Sequence, residues 1–210
     1  MLFSITPRFI TELTPTHQGL LSGSLDSALS LPALLDKNKK QAGRRPTPRG
    51  KITYASGAIM SNVVGHVLSN QNRWDTTLIA SSISLTSEVI TRPLFTGAAL
   101  SVSAIPFIAA RECSYWLGIT TSNYLTKQNI HPSISLLTQF TICCALANIP
   151  DTIIGQCTAR ELSIKETIND IKIQPKHYIK LWRDSLPSRL KCAGLYPWLV
   201  MQFVYGSNKT

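Results

Sequence analysis

Arg111 and Glu112 stand side by side in a stretch, Ala98 to Leu125, that holds no other charged residue. A charged pair inside an apolar segment is costly unless it faces a cavity or a partner. The guanidinium offers a fixed fork of donors to a carboxylate or phosphate, and the glutamate accepts from an ammonium or guanidinium. Together they can hold a small anionic or zwitterionic solute. The competing reading ends the helix near Ala110 and leaves the pair in a loop. Asp26, Glu88, Asp151 and Lys191 are further charges in or beside apolar segments, and Lys191 is a third candidate ligand for the solute. Pairing across helices lowers the cost of burying such charges. Pairs that form at one end of a cavity and part at the other make a gate, whereas static pairs only brace.

Other chemistry is hard to find. His17, His66, His131 and His177 stand apart, with no HExxH and no cysteine partner. GxSxG, phosphate-loop and GxGxxG signatures are missing, so neither an enzyme, a cofactor nor a metal is expected. For His66 the simpler reading is a packed, hydrogen-bonded histidine rather than a cavity-lining one. The cysteines, Cys113, Cys143, Cys144, Cys157 and Cys192, contain no CxxC and read as buried free thiols in a reducing setting.

The elements that must position these residues follow from charge spacing. Of 210 residues, 21 are Lys or Arg and 11 Asp or Glu, a net charge of +10. Charged residues make up only 15%, against roughly 25% in a typical soluble domain, and Ser, Thr, Gly and Ala take their place. The charges divide the chain into six apolar segments: Gly19–Leu35, Ile52–Asn72, Thr76–Phe95, about Ala98–Leu125, Ser133–Gly155 and Leu190–Tyr205. The second carries no charge over about the length of a membrane helix. Gly19 with Gly23, and Gly57 with Ser61 and Gly65, form small-residue faces that suit close helix packing. Between the last two segments, Leu162, Ile164, Ile168 and Ile171 lie loosely on one face of an amphipathic helix.

Basic residues gather after the odd segments. Lys37, Lys39, Lys40, Arg44, Arg45, Arg49 and Lys51 face Asp36 alone in the loop 36–51. Such a bias marks the side that is not translocated and places both termini on the other. The loop has no interleaved aromatics and fits no nucleic-acid docking motif; contact with anionic membrane lipid is the expected role. The N-terminus lacks the charged start and apolar core of a signal peptide, so any address is expected to be internal. The odd segments end alike, in Pro32 with Asp36, Glu88 with Arg92, and Pro150 with Asp151. Internal repetition of this kind recurs in transporters. It gives one domain, 1–210, of three repeats at approximately 1–72, 73–130 and 131–210.

With these residues in view, the chain resembles the mitochondrial carrier family, whose three repeats each contribute two transmembrane helices. Odd helices of that family end in P-x-[DE]-x-x-[KR], often continued by x-[KR]-x-Q. Pro32, Lys37, Lys39 and Gln41 match this pattern, with Leu34 in place of the acid. Pro150 and Asp151 offer the proline and an acid one place early, and Gly155 stands where the base belongs. Glu88 lacks the proline, and Arg92 comes one place late. Leu181-Trp182-Arg183-Asp184 is similar to the family's amphipathic segment, usually LWRG. Tyr205 through Lys209 is similar to its even-helix gate, with Gly206 replacing the acid. The loop after the third segment has no room for the family's helix at that place.

The resemblance implies an all-α membrane protein of six transmembrane helices in three pseudo-repeats around a central cavity. It implies a monomer in the mitochondrial inner membrane that moves a small anionic or zwitterionic metabolite (an amino acid, carboxylate or nucleotide) by alternating access. Arg111 before Tyr124 falls at about the spacing of the family's solute-contact position, where Arg followed by an acid is similar to amino-acid carriers. Arg111, Glu112 and Lys191 are then the solute ligands. Pro32 and Pro150 supply kinks, and Lys37, Gln41, Glu88, Arg92, Asp151, Tyr205 and Lys209 supply the gates. Two other readings stand beside it: a carrier-like scaffold that transports nothing and binds a partner, and a soluble basic helical module. A bacterial imitation of a host carrier is a variant of the first.

Overall fold

The computed structural model describes residue 10 and residues 12–43, 46–71 and 73–206. The described chain is all-α. Helix α1 is Pro15–Ala42, α2 Pro48–Ser69, α3 Trp74–Thr96, α4 Ile105–Lys127 and α5 Pro132–Arg160. The short α6 is Ile164–Ile173, and α7 runs unbroken over 175–205. Both α5 and α7 contain a π-helical turn, at Phe140–Leu146 and Leu190–Leu195.

Local chemistry explains most of the ends. Pro15, Pro48, Pro132 and Pro175 open helices, where the missing N–H costs nothing. Thr14 and Thr47 cap by accepting from His17 N and Gly50 N. Ser163 and Glu166 form a reciprocal capping box on α6. Gly43 and Gly97 end α1 and α3 at φ 65° and 70°, in the left-handed region that glycine reaches without strain.

Three boundaries differ from the sequence reading. Helix α1 does not stop before Asp36 but runs on to Ala42, because Lys39 and Lys40 in its last turn suit the negative end of the helix dipole. Pro32, Pro93, Pro150 and Pro187 all lie inside helices. Each proline frees a carbonyl one turn earlier, yet its helix continues. Helix α4 begins at Ile105, after a 3-10 turn at Val102–Ala104, rather than near Ala98. The last apolar segment is the second half of α7 and is continuous with the amphipathic stretch before it.

Each long helix packs on its neighbour in sequence, and α7 returns to pack on α1, so α1–α5 and α7 close a ring. Helix α6 sits outside, against α5 and α7. The α1–α2 seam is the closest. A Cβ added at Gly19 or Gly23 would lie 2.5 Å from the Cα of Val67 or Val63, backbone that cannot step aside. Of the second small-residue face, Gly57 meets Thr91 and Ser87 of α3, Gly65 meets Trp116 of α4, and Ser61 lines the interior. Cys143, Cys144, Cys157 and Cys192 are buried free thiols, whereas Cys113 is exposed.

The burial pattern is inverted. More polar and charged residues than apolar ones are buried among the described residues. Large apolar side chains instead face outward on all six long helices, for example Leu29, Met60, Leu78, Leu117, Leu137 and Leu199. By length and composition, one helix among the described residues, Pro132–Arg160, is long and apolar enough to cross a membrane.

Two predictions follow from this packing. Gly23→Leu wedges α1 from α2 and is expected to cost about 1–3 kcal/mol or more, read as a lower thermal midpoint of purified protein. Gly43→Asn, in open space at a left-handed cap, should stay within about 1 kcal/mol of wild type. The second concerns α6. Arg160 donates to both Asp170 oxygens (2.5 and 3.3 Å), and the Tyr178 hydroxyl donates at 2.8 Å. The guanidinium, with the phenol, holds the Asp170 carboxyl below its ordinary range. A depressed carboxylate pKa adds stability above the unfolded value of about 4 and loses it as pH falls through the folded value. Hydrogen-exchange protection in α6 should therefore drop below about pH 4, and Asp170→Asn should show reduced protection already at neutral pH.

Candidate functional site

Burial inside the ring selects a small set of ionisable groups. Lys37, Arg92, Arg111 and Arg189 are buried, as are Asp26, Glu88, Glu112 and Asp151. Except for Asp26, they belong to one network near the C-terminal ends of α1, α3 and α5. Asp151, fully buried just after Pro150 on α5, is its centre. Its Oδ2 accepts from Lys37 Nζ of α1 at 2.5 Å and from Arg189 Nη1 of α7 at 3.3 Å. Its Oδ1 accepts from Arg111 Nη1 of α4 at 2.7 Å and from Arg92 Nη2 of α3 at 3.5 Å. Cations from four helices thus share one carboxylate.

The remaining acids complete the network. Glu88 and Arg92 lie one turn apart on α3 and pair directly. Arg111 Nη1 reaches Glu88 Oε1 at 3.3 Å. Glu112 pairs with its neighbour Arg111 and accepts from Ser84 Oγ. The helix does not end at Ala110; it carries Arg111 and Glu112 into the interior.

A cavity of about 70 Å³ lies beside this network. Its walls include Ser30 and Lys37 of α1, Tyr54 and Asn62 of α2, Ser84 and Glu88 of α3, Arg111, Glu112 and Tyr115 of α4, and Arg189 and Cys192 of α7. That is room for several waters or a small organic acid, one water needing roughly 10–15 Å³ of such space. Arg189 donates Nε to the Cys143 carbonyl at 3.0 Å, but its Nη2 has no hydrogen-bond partner among the described residues. A buried guanidinium N–H without a partner is expensive, and this one belongs to a cavity-lining residue.

Of the sequence-selected ligands, the structure brings Arg111 and Glu112 to the cavity and leaves Lys191 out. Lys191 is exposed on α7, and the inward cation of that helix is Arg189, two residues earlier. Sequence reading missed Arg189 because it fell at the boundary between charged stretch and apolar segment. The pattern Ser185, Arg189, Cys192, all buried, traces one helical face and was the available signal. Among the gate residues, Lys37, Glu88, Arg92 and Asp151 meet, while Pro32 and Pro150 lie in the helices that carry Lys37 and Asp151. Gln41 stacks a second polar layer below them. Its Nε2 lies 3.4 Å from both Asn148 Oδ1 and Ser185 Oγ, and its backbone carbonyl accepts from Gln156 Nε2 at 2.7 Å.

The opposite end of the ring closes differently. Tyr205 shares a 2.9 Å hydrogen bond with Ser22 of α1. Lys127 donates to the Asn70 carbonyl and side-chain oxygen, both at 2.8 Å, and stands over the Tyr205 ring at 5.5 Å. Lys209 lies outside the described residues. Between the two ends, His66 is packed and hydrogen-bonded as expected, its Nε2 3.0 Å from Asp26 Oδ2 and its ring edge-on to Trp116. No group of three or more histidine, cysteine or acidic residues able to hold a metal occurs among the described residues.

No protein-family model, curated protein or solved structure matches the chain. The reading of the site therefore rests on its geometry.

That geometry predicts a large asymmetry between two aspartates. Asp151→Asn leaves four buried cations to two carboxylates and is expected to cost about 3–5 kcal/mol. Asp36→Asn removes the half-exposed pair with Lys40 but keeps an amide oxygen to accept from Ser188 Oγ, now 2.5 Å from the carboxylate, and should cost less than about 1 kcal/mol. Chemical or thermal denaturation of the two purified variants against wild type reads the difference.

Proposed function

We propose that the chain is a membrane solute carrier whose helices α1–α5 and α7 cross the bilayer around the central cavity. The observation that supports this best is the inverted burial: apolar side chains face outward on every long helix while ion pairs and a cavity fill the interior. Such an arrangement suits a lipid exterior, where exposed charge is costly and intramembrane ionisable groups turn inward. Low hydropathy in most of the helices is consistent with it, because their inner faces are built of Ser, Thr and charged residues.

The solute is a small carboxylate or amino acid. Arg111 and Arg189 hold its carboxylate, and Glu112 receives an ammonium where one is present. The paired Arg111 and Glu112 suit an amino acid better than a nucleotide, whose phosphates bring no ammonium for Glu112. Alternating access would require Lys37, Arg92 and Arg189 to release Asp151, and the Tyr205–Ser22 contact to part in the other phase. The likeness to mitochondrial carriers supplies the inner mitochondrial membrane as the place of residence. The basic loop 36–51 adds anionic lipid as a contact.

One feature favours the second reading, a scaffold without transport. The end near Asp151 is tied by ion pairs from four helices, whereas the other end is held by hydrogen bonds and a cation–π contact. A latch on one side alone suits a fixed shape.

Two experiments separate these readings. Alkaline carbonate should leave the protein in the membrane pellet; release into the supernatant means a soluble module. Purified protein in liposomes should move labelled lactate or glutamate and leave ATP behind. Arg111→Ala, checked for folding, should slow that flux about tenfold or more, as expected for loss of a charged hydrogen bond. Equal flux in the variant removes Arg111 from the solute site, and the absence of any flux selects the scaffold.

A further inference from the structure

The buried charges form a balanced set. Lys37, Arg92, Arg111 and Arg189 carry four positive charges; Asp26, Glu88, Glu112 and Asp151 carry four negative ones. Their formal charges sum to zero. A monoanion entering the cavity would leave it at minus one, and uncompensated charge in a low-dielectric interior is expensive.

Asp26 and His66 are poised to cancel that charge. Asp26 makes none of the ion pairs around Asp151. Its Oδ2 lies 3.0 Å from His66 Nε2 and accepts from Tyr115 OH at 3.3 Å, and its Oδ1 accepts from Ser30 Oγ at 2.6 Å. Ser30 and Tyr115 are both walls of the cavity. One bonded path therefore runs from the cavity through a hydroxyl to Asp26 and on to His66. Other titratable groups face the pair too. They are Tyr115 from α4, Cys143 from α5 and Cys192 from α7. His66 alone offers a ring with two nitrogens that can each bind a proton, and one of them already faces the Asp26 carboxylate.

We propose that the Asp26–His66 pair takes up one proton with each monoanion that enters the cavity, so that solute and proton cross together without net charge. The proton comes from bulk water, rests on the pair while the anion is bound, and leaves on the other side with it. No bond other than that to the proton forms or breaks. This inference rests on the transport reading above, and its failure is distinguishable from the failure of that reading.

The test uses full-length protein in liposomes with lactate and glutamate, both monoanions at neutral pH, and protein-free liposomes as the blank. With the lumen one pH unit more alkaline, wild type should accumulate the moved anion about tenfold, the equilibrium ratio for one proton per anion. An entrapped pH dye should report matching acidification, and a potassium–valinomycin potential should not change the ratio. His66→Gln keeps an amide donor for Asp26 but cannot carry the proton. It should lose the pH-driven accumulation, and its remaining flux should become sensitive to the potential, a change that a mere packing role would not produce. Wild-type flux that ignores the pH gradient overturns proton coupling and leaves transport standing. Flux in His66→Gln that still follows the pH gradient overturns the assignment to this pair. No flux of either anion overturns both proposals.

Discussion

One carboxylate organises the interior. Lys37, Arg92, Arg111 and Arg189 come from four helices and would repel one another in a medium of low dielectric. Asp151 sits between them and accepts from each. Burying ions is unfavourable, and such a network does not stabilise the fold relative to well-packed apolar residues. What it does is fix geometry. With Asp151 in place, α1, α3, α4 and α7 each turn a cation-bearing face toward α5. Without it, mutual repulsion would splay their ends. Glu88 and Glu112 play supporting parts, each shared with a guanidinium already committed to the centre.

Around this centre the rest of the structure is conventional helix packing with unusual filling. Glycines on α1 and α2 allow backbone to approach backbone, and serine and threonine hydroxyls link α3 to α4 through Thr77 and Thr120, and α4 to α5 through Ser122 and Ser135. Apolar side chains are left for the outside. The main apolar cluster, around Trp116, Ile119, Met201 and Val204, lies toward the end of the ring away from Asp151. The two ends are therefore held by different physics, ion pairs at one and apolar packing with tyrosine and lysine contacts at the other.

The helical character and the six long segments were legible because charge is rare in this chain, whereas the grouping of Lys37, Glu88, Arg92 and Asp151 came from the likeness to a carrier's repeated helix ends. The membrane-length segments were less well bounded. Charge density suggested a stop at Leu35, yet nothing between Asp36 and Ala42 breaks a helix, and lysines in a last turn support one. Lys191 and Arg189 could not be told apart by proximity to the segment edge; only helical phase separates them, and that phase passes through a π turn just beyond Arg189. His66 was readable as a packed histidine, but its partner Asp26 was not, because the two lie forty residues apart on helices whose relative register only the glycine seam fixes.

The π turns have a further consequence. The buried stripe of α5 steps through Ser135, Gln139, Cys143, Ala147, Asp151 and Gly155, at intervals of four. In a regular α-helix each such step drifts by about 40°, so the stripe would wind out of the ring before reaching Asp151. The wider turn at Phe140–Leu146 takes back part of that drift. In α7 the corresponding turn lies between Arg189 and the apolar half, and its Gly194 packs on Phe140 and Cys144 of the turn in α5. Length is thereby constrained as tightly as residue identity. A one-residue insertion in the connection 128–131 would be absorbed by the loop. The same insertion or deletion within either π turn would rotate Asp151 or Arg189 away from its partners while leaving every residue of the network in the sequence.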